Sequence, residues 1–156
     1  MKPILAIVFA SLICLPATAQ EAAPLVDEPA TPSIVMDGLD VDLSQFVWIK
    51  RPLVVFADSP ADPRFVQQME LLNERLDELA IRDVVVLTDT DPSAQGPLRT
   101  KLRPRGFMLA LIAKDGTVSL RKPLPWDVRE ISRSIDKLPM RQQEIKERRN
   151  GTHPAS

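Results

Sequence analysis

The sequence predicts an α/β domain on a mixed four-stranded sheet, with a parallel β-α-β unit, then an antiparallel hairpin, and helices on its faces. Three observations predict it. Leu53–Ala57 and Val84–Thr88 are short runs, apolar almost throughout, with the composition of central strands covered on both sides. Between them Phe65, Met69, Leu72, Leu76 and Leu79 recur at steps of four, three, four and three, the stripe of an amphipathic helix. Beyond them Phe107–Ala113 and Thr117–Arg121 flank Lys114-Asp115-Gly116-Thr117, a tight-turn signal between antiparallel strands.

In chain order, residues 1–19 read as a secretory signal peptide. Lys2 supplies the positive start, Ile4–Leu15 the apolar run, and Ala17-Thr18-Ala19 a small-residue cleavage site. The run is shorter than the roughly 20 apolar residues that span a bilayer. Cleavage after Ala19 removes Cys14, the only cysteine, and leaves an exported, periplasmic chain with no disulfide and no membrane span. Residues 20–38, with Pro24, Pro29 and Pro32 among Ala, Glu and Asp, read as a flexible linker. The domain is expected at 39–139, opening with one helical turn at Asp42–Phe46 and with Trp48 packed onto the core.

After the first strand, Asp62 suits a helix N-cap and Pro63 the first helical position, where its missing N–H costs nothing. That helix is expected to run to about Ala80. Asp89–Gly96 is a loop and Pro97–Leu102 a short helix stopped before Pro104. Val128, Ile131, Ile135 and Leu138 give the closing helix, from about Trp126, a core face; Trp126 itself reads as a core aromatic, and Pro139 ends the helix. Residues 140–156 read as a polar, basic tail with Arg141, Lys146, Arg148 and Arg149, which can extend as a frayed helix before a disordered 151–156.

The formal net charge is −1, but it is unevenly divided. Residues 20–98 hold 5 basic and 15 acidic side chains, and residues 99–156 hold 14 basic and 6 acidic. In a single domain the two halves are expected to interleave and offset each other, whereas the tail offers a contact for an acidic partner or an envelope protein. A domain that is not basic overall argues against nucleic acid as a partner.

Candidate chemistry gathers at strand ends. Asp58, Ser59 and Asp62 follow the first strand. Ser59 would need a general base as a nucleophile, and the only histidine is His153 in the tail. Capping and turn formation account for Ser59 and Asp62 without chemistry. Asp89 and Asp91 follow the second strand and, with Asp58, would be the carboxylates of a metal-assisted or carboxylate-based enzyme holding Mg²⁺ or Ca²⁺. Asp91-Pro92 is equally a turn initiator. Arg99, Lys101, Arg103 and Arg105 form a basic segment able to bind an anion, with Arg103 and Arg105 as its candidate residues. No catalytic residue, cofactor or resident metal is assigned from these patterns.

Arg51-Pro52-Leu53-Val54-Val55-Phe56-Ala57, Asp83-Val84-Val85-Val86-Leu87, Lys114-Asp115-Gly116 and Ile135-Asp136-Lys137-Leu138-Pro139-Met140-Arg141 resemble an uncharacterised family of exported bacterial proteins, the domain of unknown function DUF4174. The resemblance extends over roughly 39–149 and implies a thioredoxin-like fold. Its motifs are structural and imply no reaction. Redox members of that fold carry C-x-x-C or T-x-x-C where the first strand meets the helix, and this chain has Ser59-Pro60-Ala61-Asp62 there. Thioredoxins also place a cis-proline before the third strand, where this chain has Phe107 or Met108, with Pro104 too early. The resemblance therefore implies a non-catalytic binding or structural module, or a divergent thioredoxin- or peroxiredoxin-related protein without thiol chemistry.

Overall fold

The computed structural model describes residues 34–151. Residues 1–19, read as a signal peptide, most of 20–38, read as a linker, and His153 lie outside the described residues.

Five strands form one sheet: β1 (Val35–Asp37), β2 (Arg51–Phe56), β3 (Val84–Asp89), β4 (Met108–Ile112) and β5 (Val118–Lys122), in the order β1-β3-β2-β4-β5. β2 and β3 are parallel, with Leu53 opposite Val86. β4 runs antiparallel to β2, with Val54 opposite Ala110, and the β4–β5 hairpin closes that edge. Gly116 at φ +85° supplies the left-handed residue of the hairpin turn. The α/β class, the parallel pair and the hairpin are as the sequence predicts.

The strand count is five rather than four. β1 lies inside the segment read as linker and pairs in parallel with the outer side of β3. Val86 N–H donates to Ile34 O at 2.7 Å and Gly38 N–H to Thr88 O at 2.8 Å. This three-residue edge strand is held by backbone pairing, and its burial is too slight to leave an apolar pattern.

β2 is buried at every position, so its side chains divide between two cores. Leu53 and Val55 join Val84, Val86, Leu109 and Leu111 beneath α1 (Pro63–Asn73), α2 (Leu76–Ala80) and α4 (Val128–Asp136). Val54 and Phe56 join Val85, Leu87, Ala110 and Ile112 beneath a 3-10 turn at Leu43–Phe46 and α3 (Pro97–Leu102). Each such large side chain contributes about 1.5–3 kcal/mol when buried, and β2, β3 and β4 together tie the two layers, each with side chains in both cores.

Three further expectations are corrected. The first helix is not continuous to Ala80: Arg75 at φ −145° separates α1 from α2, and Leu79 beyond the break is fully buried. Trp48 does not pack on the core. It sits at φ +67°, donates its N–H to Lys114 O at 2.6 Å, and is 66% exposed, because the chain must reverse there to enter β2. Trp126, as expected, packs against the first core.

The third correction concerns the tail. Pro139 ends α4 but also opens a further helix, α5 (Pro139–Arg149), at its first turn. Arg141 is buried, and Glu144 accepts from Arg51 Nη2 at 2.8 Å, Lys114 Nζ at 2.9 Å and Arg141 Nη1 at 3.1 Å. The Arg51 side chain is 1% exposed and also donates to Arg82 O at 2.8 Å. Burial alone would raise the Glu144 carboxyl, but hydrogen bonds from Arg51, Lys114 and Arg141 outweigh it and hold the group down at about 2. α5 docks through charge, so no apolar stripe announces it. Ion pairs join the two halves in both senses: Lys114–Asp83 and Arg99–Asp89 set cations of the basic half on carboxylates of the acidic half, and Arg51–Glu144 and Arg82–Asp136 do the reverse.

Candidate functional site

The candidate residues converge on the end of the sheet where β2 and β3 finish and β4 begins. Asp62 is the N-cap of α1, accepting Arg64 N–H at 2.9 Å, and its carboxylate also takes the Arg64 guanidinium at 3.0 Å. Those contacts, the Arg64 side chain foremost, lower its pKa below the usual carboxylate range. Ser59 Oγ accepts Ala61 N–H at 3.1 Å. Both residues therefore do the capping and turn work that their positions suggest. Asp58 is exposed beside Gly106, where a Cβ would lie 3.8 Å from Asp58 Oδ2 and 4.0 Å from Arg64 Nη2. Gly106 adopts φ +64°, a backbone that L side chains rarely take, and it turns the chain into Phe107, whose ring lies 5.6 Å from the Arg64 guanidinium.

The two aspartates after β3 part company. Asp89 is wholly buried at the strand end, where Oδ1 accepts Arg99 Nε at 2.9 Å. Arg99 Nη2 donates to Ala57 O at 2.6 Å and to Asp89 O at 3.2 Å, so one guanidinium clasps the ends of β2 and β3. It also lies 5.5 Å from the Phe56 ring. Asp89 Oδ2 is buried without a hydrogen-bond partner among the described residues. Asp91 caps its own turn, accepting Ser93 N–H at 2.9 Å, and the Ser93 contacts lower its pKa. Of the three carboxylates proposed for a metal, Asp91 caps its own turn, Asp58 stands exposed on another loop, and a cation, Arg99, already neutralises Asp89. Among the described residues no three His, Cys, Asp or Glu side chains are grouped to hold a metal.

Arg103 and Arg105 follow α3. Arg103 is the helix C-cap at φ +49°, and both side chains are exposed. They line a groove of about 280 Å³ together with Arg121 and Lys122 of β5, Phe107, Met108 and Pro123. Arg121 Nη1 donates to Leu102 O at 2.6 Å, and Lys122 Nζ lies 4.4 Å from the Trp126 ring centroid. Sequence reasoning missed Arg121 and Lys122. They are some sixteen residues away along the chain, and only the β4–β5 hairpin carries them to the basic segment. The expectation of a hairpin over 107–121 was the one signal that could have found them.

Residues 42–144 match the family model described as Domain of unknown function (DUF4174). The chain belongs to the DUF4174 family. No curated protein matches this DUF4174 chain in sequence. Among solved structures it is similar to a reduced 2-Cys peroxiredoxin of Plasmodium vivax, with a TM-score of 0.55 and 16% identity over 66% of this chain and 85% of that one. Thioredoxin peroxidase I of Plasmodium yoelii gives a TM-score of 0.48 and 21% identity over 66% of this chain and 80% of that one. The Plasmodium vivax comparison shows that this chain has the thioredoxin-like fold. In this DUF4174 domain every described peptide bond is trans, and Gly106-Phe107 leads into β4. Among the described residues no helix is long and apolar enough to cross a membrane.

Proposed function

We propose that this DUF4174 protein is an exported thioredoxin-like module of the bacterial cell envelope that acts by binding rather than by catalysis. The export rests on the signal-peptide pattern of residues 1–19 and makes the periplasm its location. The observation that carries the binding reading is the β2–α1 junction. Its serine and aspartate are engaged in capping, with Asp62 accepting three hydrogen bonds from Arg64, and the one cysteine of the chain, Cys14, lies far from it in sequence. A carboxylate in that slot cannot form the mixed disulfide or sulfenic acid on which thiol chemistry depends.

The Asp89–Arg99 clasp argues against a carboxylate or metal enzyme there. An ion displacing Arg99 would leave that guanidinium without its carboxylate and release the ends of β2 and β3. An insulin-reduction and a peroxidase assay on the purified protein test the proposal. The expected result is turnover no higher than a heat-inactivated control, and turnover above that control overturns it.

A further inference from the structure

We propose that the groove between the α3–β4 loop and β5 binds a small organic oxyanion, a carboxylate or phosphate ester carrying an apolar body. This rests on the reading of the protein as a binding module and names its site. Four cations, Arg103, Arg105, Arg121 and Lys122, line this groove, and no carboxylate does. Eight other cations, Arg51, Arg64, Arg75, Arg82, Arg99, Lys114, Arg133 and Arg141, each hold a carboxylate, whereas Lys50, Lys101, Arg129, Lys137, Lys146, Arg148 and Arg149 hold none among the described residues; what sets the groove apart is that four such cations share one lining. None of the four groove cations has a carboxylate partner among the described residues, although Asp58 stands on the neighbouring loop beside Gly106. Like charges left together without counter-charge cost free energy, which an anion in the groove relieves.

Two of the cations are held in place before any ligand arrives. Arg121 is fixed by its hydrogen bond to Leu102 O, and Lys122 by the Trp126 ring. For the other two only the backbone is set, at Arg103 by the left-handed C-cap and at Arg105 by the loop that Gly106 turns, and both side chains are exposed. Such preorganisation lowers the entropy cost of capture. The cavity, about 280 Å³, falls just under the usual range for small-molecule sites and is too small for a folded partner to insert an element. Half-buried Met108 and exposed Pro123 give its lining an apolar surface, to which Phe107 at 2% exposure adds little, and inorganic phosphate would leave that surface uncovered. Arginine supplies the two-pronged donors that suit carboxylate and phosphate alike.

Trp126 provides the readout, because Lys122 lies over its ring. In a Trp48→Phe background, phenyl phosphate and phenylacetate are titrated against Trp126 fluorescence, with inorganic phosphate in a parallel arm. The expected result is a saturable change with one or both aryl anions, weaker binding of inorganic phosphate, and loss of affinity at high salt. The tighter of the two aryl ligands tells phosphate from carboxylate. Arg103→Gln with Arg105→Gln, both exposed, is expected to weaken binding about tenfold or more while the melting temperature holds. The salt series on chains without these two changes decides the matter if the double variant fails to fold. No saturable change, an equal affinity for inorganic phosphate, or an unaltered affinity in the folded double variant overturns the proposal. Any of these outcomes overturns the groove and leaves the binding-module reading standing; turnover above the heat-inactivated control overturns that reading instead.

Discussion

Replacing Glu144 by Gln tests whether α5 is part of the fold or an appendage. The Glu144 carboxylate faces Arg51, Lys114 and Arg141, and the Arg51 side chain is almost wholly buried. A depression from the ordinary value of 4.5 to about 2 corresponds to about 3 kcal/mol of preference for the charged form in the folded state. The Glu144 side chain retains 17% exposure, and solvent screening reduces that to about 2 kcal/mol. Because the folded value is depressed, this stabilisation is fully present above about pH 4.5 and is lost as the pH falls toward 2. Urea denaturation of wild type and variant should therefore differ by about 2 kcal/mol at neutral pH and by less than half of that near pH 3. A deficit that is the same at both pH values would refute the electrostatic account, because loss of packing does not titrate. No deficit at neutral pH would show that α5 does not dock through this cluster.

Two further substitutions probe the site end of the sheet. Arg99→Gln leaves the wholly buried Asp89 carboxylate uncompensated and should cost about 3–5 kcal/mol in denaturation, with Arg99→Lys recovering less than half, since one ammonium cannot reach Asp89 Oδ1 and Ala57 O together. Gly96→Ala would place a Cβ 2.1 Å from Leu39 O, a backbone atom that cannot swing aside, and should lower stability by about 1–3 kcal/mol without altering the response of the groove to phenyl phosphate.

The candidate site was partly legible. Asp62 and Pro63 open α1 as their residue types require, and the Ser59 turn was equally readable, since both depend on hydrogen bonds to the next two or three residues. Asp89 and Asp91 looked alike in sequence, two residues apart after a strand. One is clasped in the interior by Arg99 and the other caps a surface turn, a division set by the buried end of β3 rather than by local chemistry. Arg103 and Arg105 were visible as a basic segment, but the groove needs β5 folded back across from them.

By itself the sequence determined the α/β class, the β2-α-β3 unit, the β4–β5 hairpin, the absence of cysteine from 34–151 and the cap at Asp62. Periodicity, turn residues and capping act over a few positions, so they are written locally. Tertiary structure alone decided that β1 extends the sheet, that α5 is anchored by Glu144 on Arg51, and that four cations meet in one groove. Each of these depends on partners 50 or more residues apart, or on a hairpin bringing basic residues together, and charge or backbone pairing leaves no period in the chain.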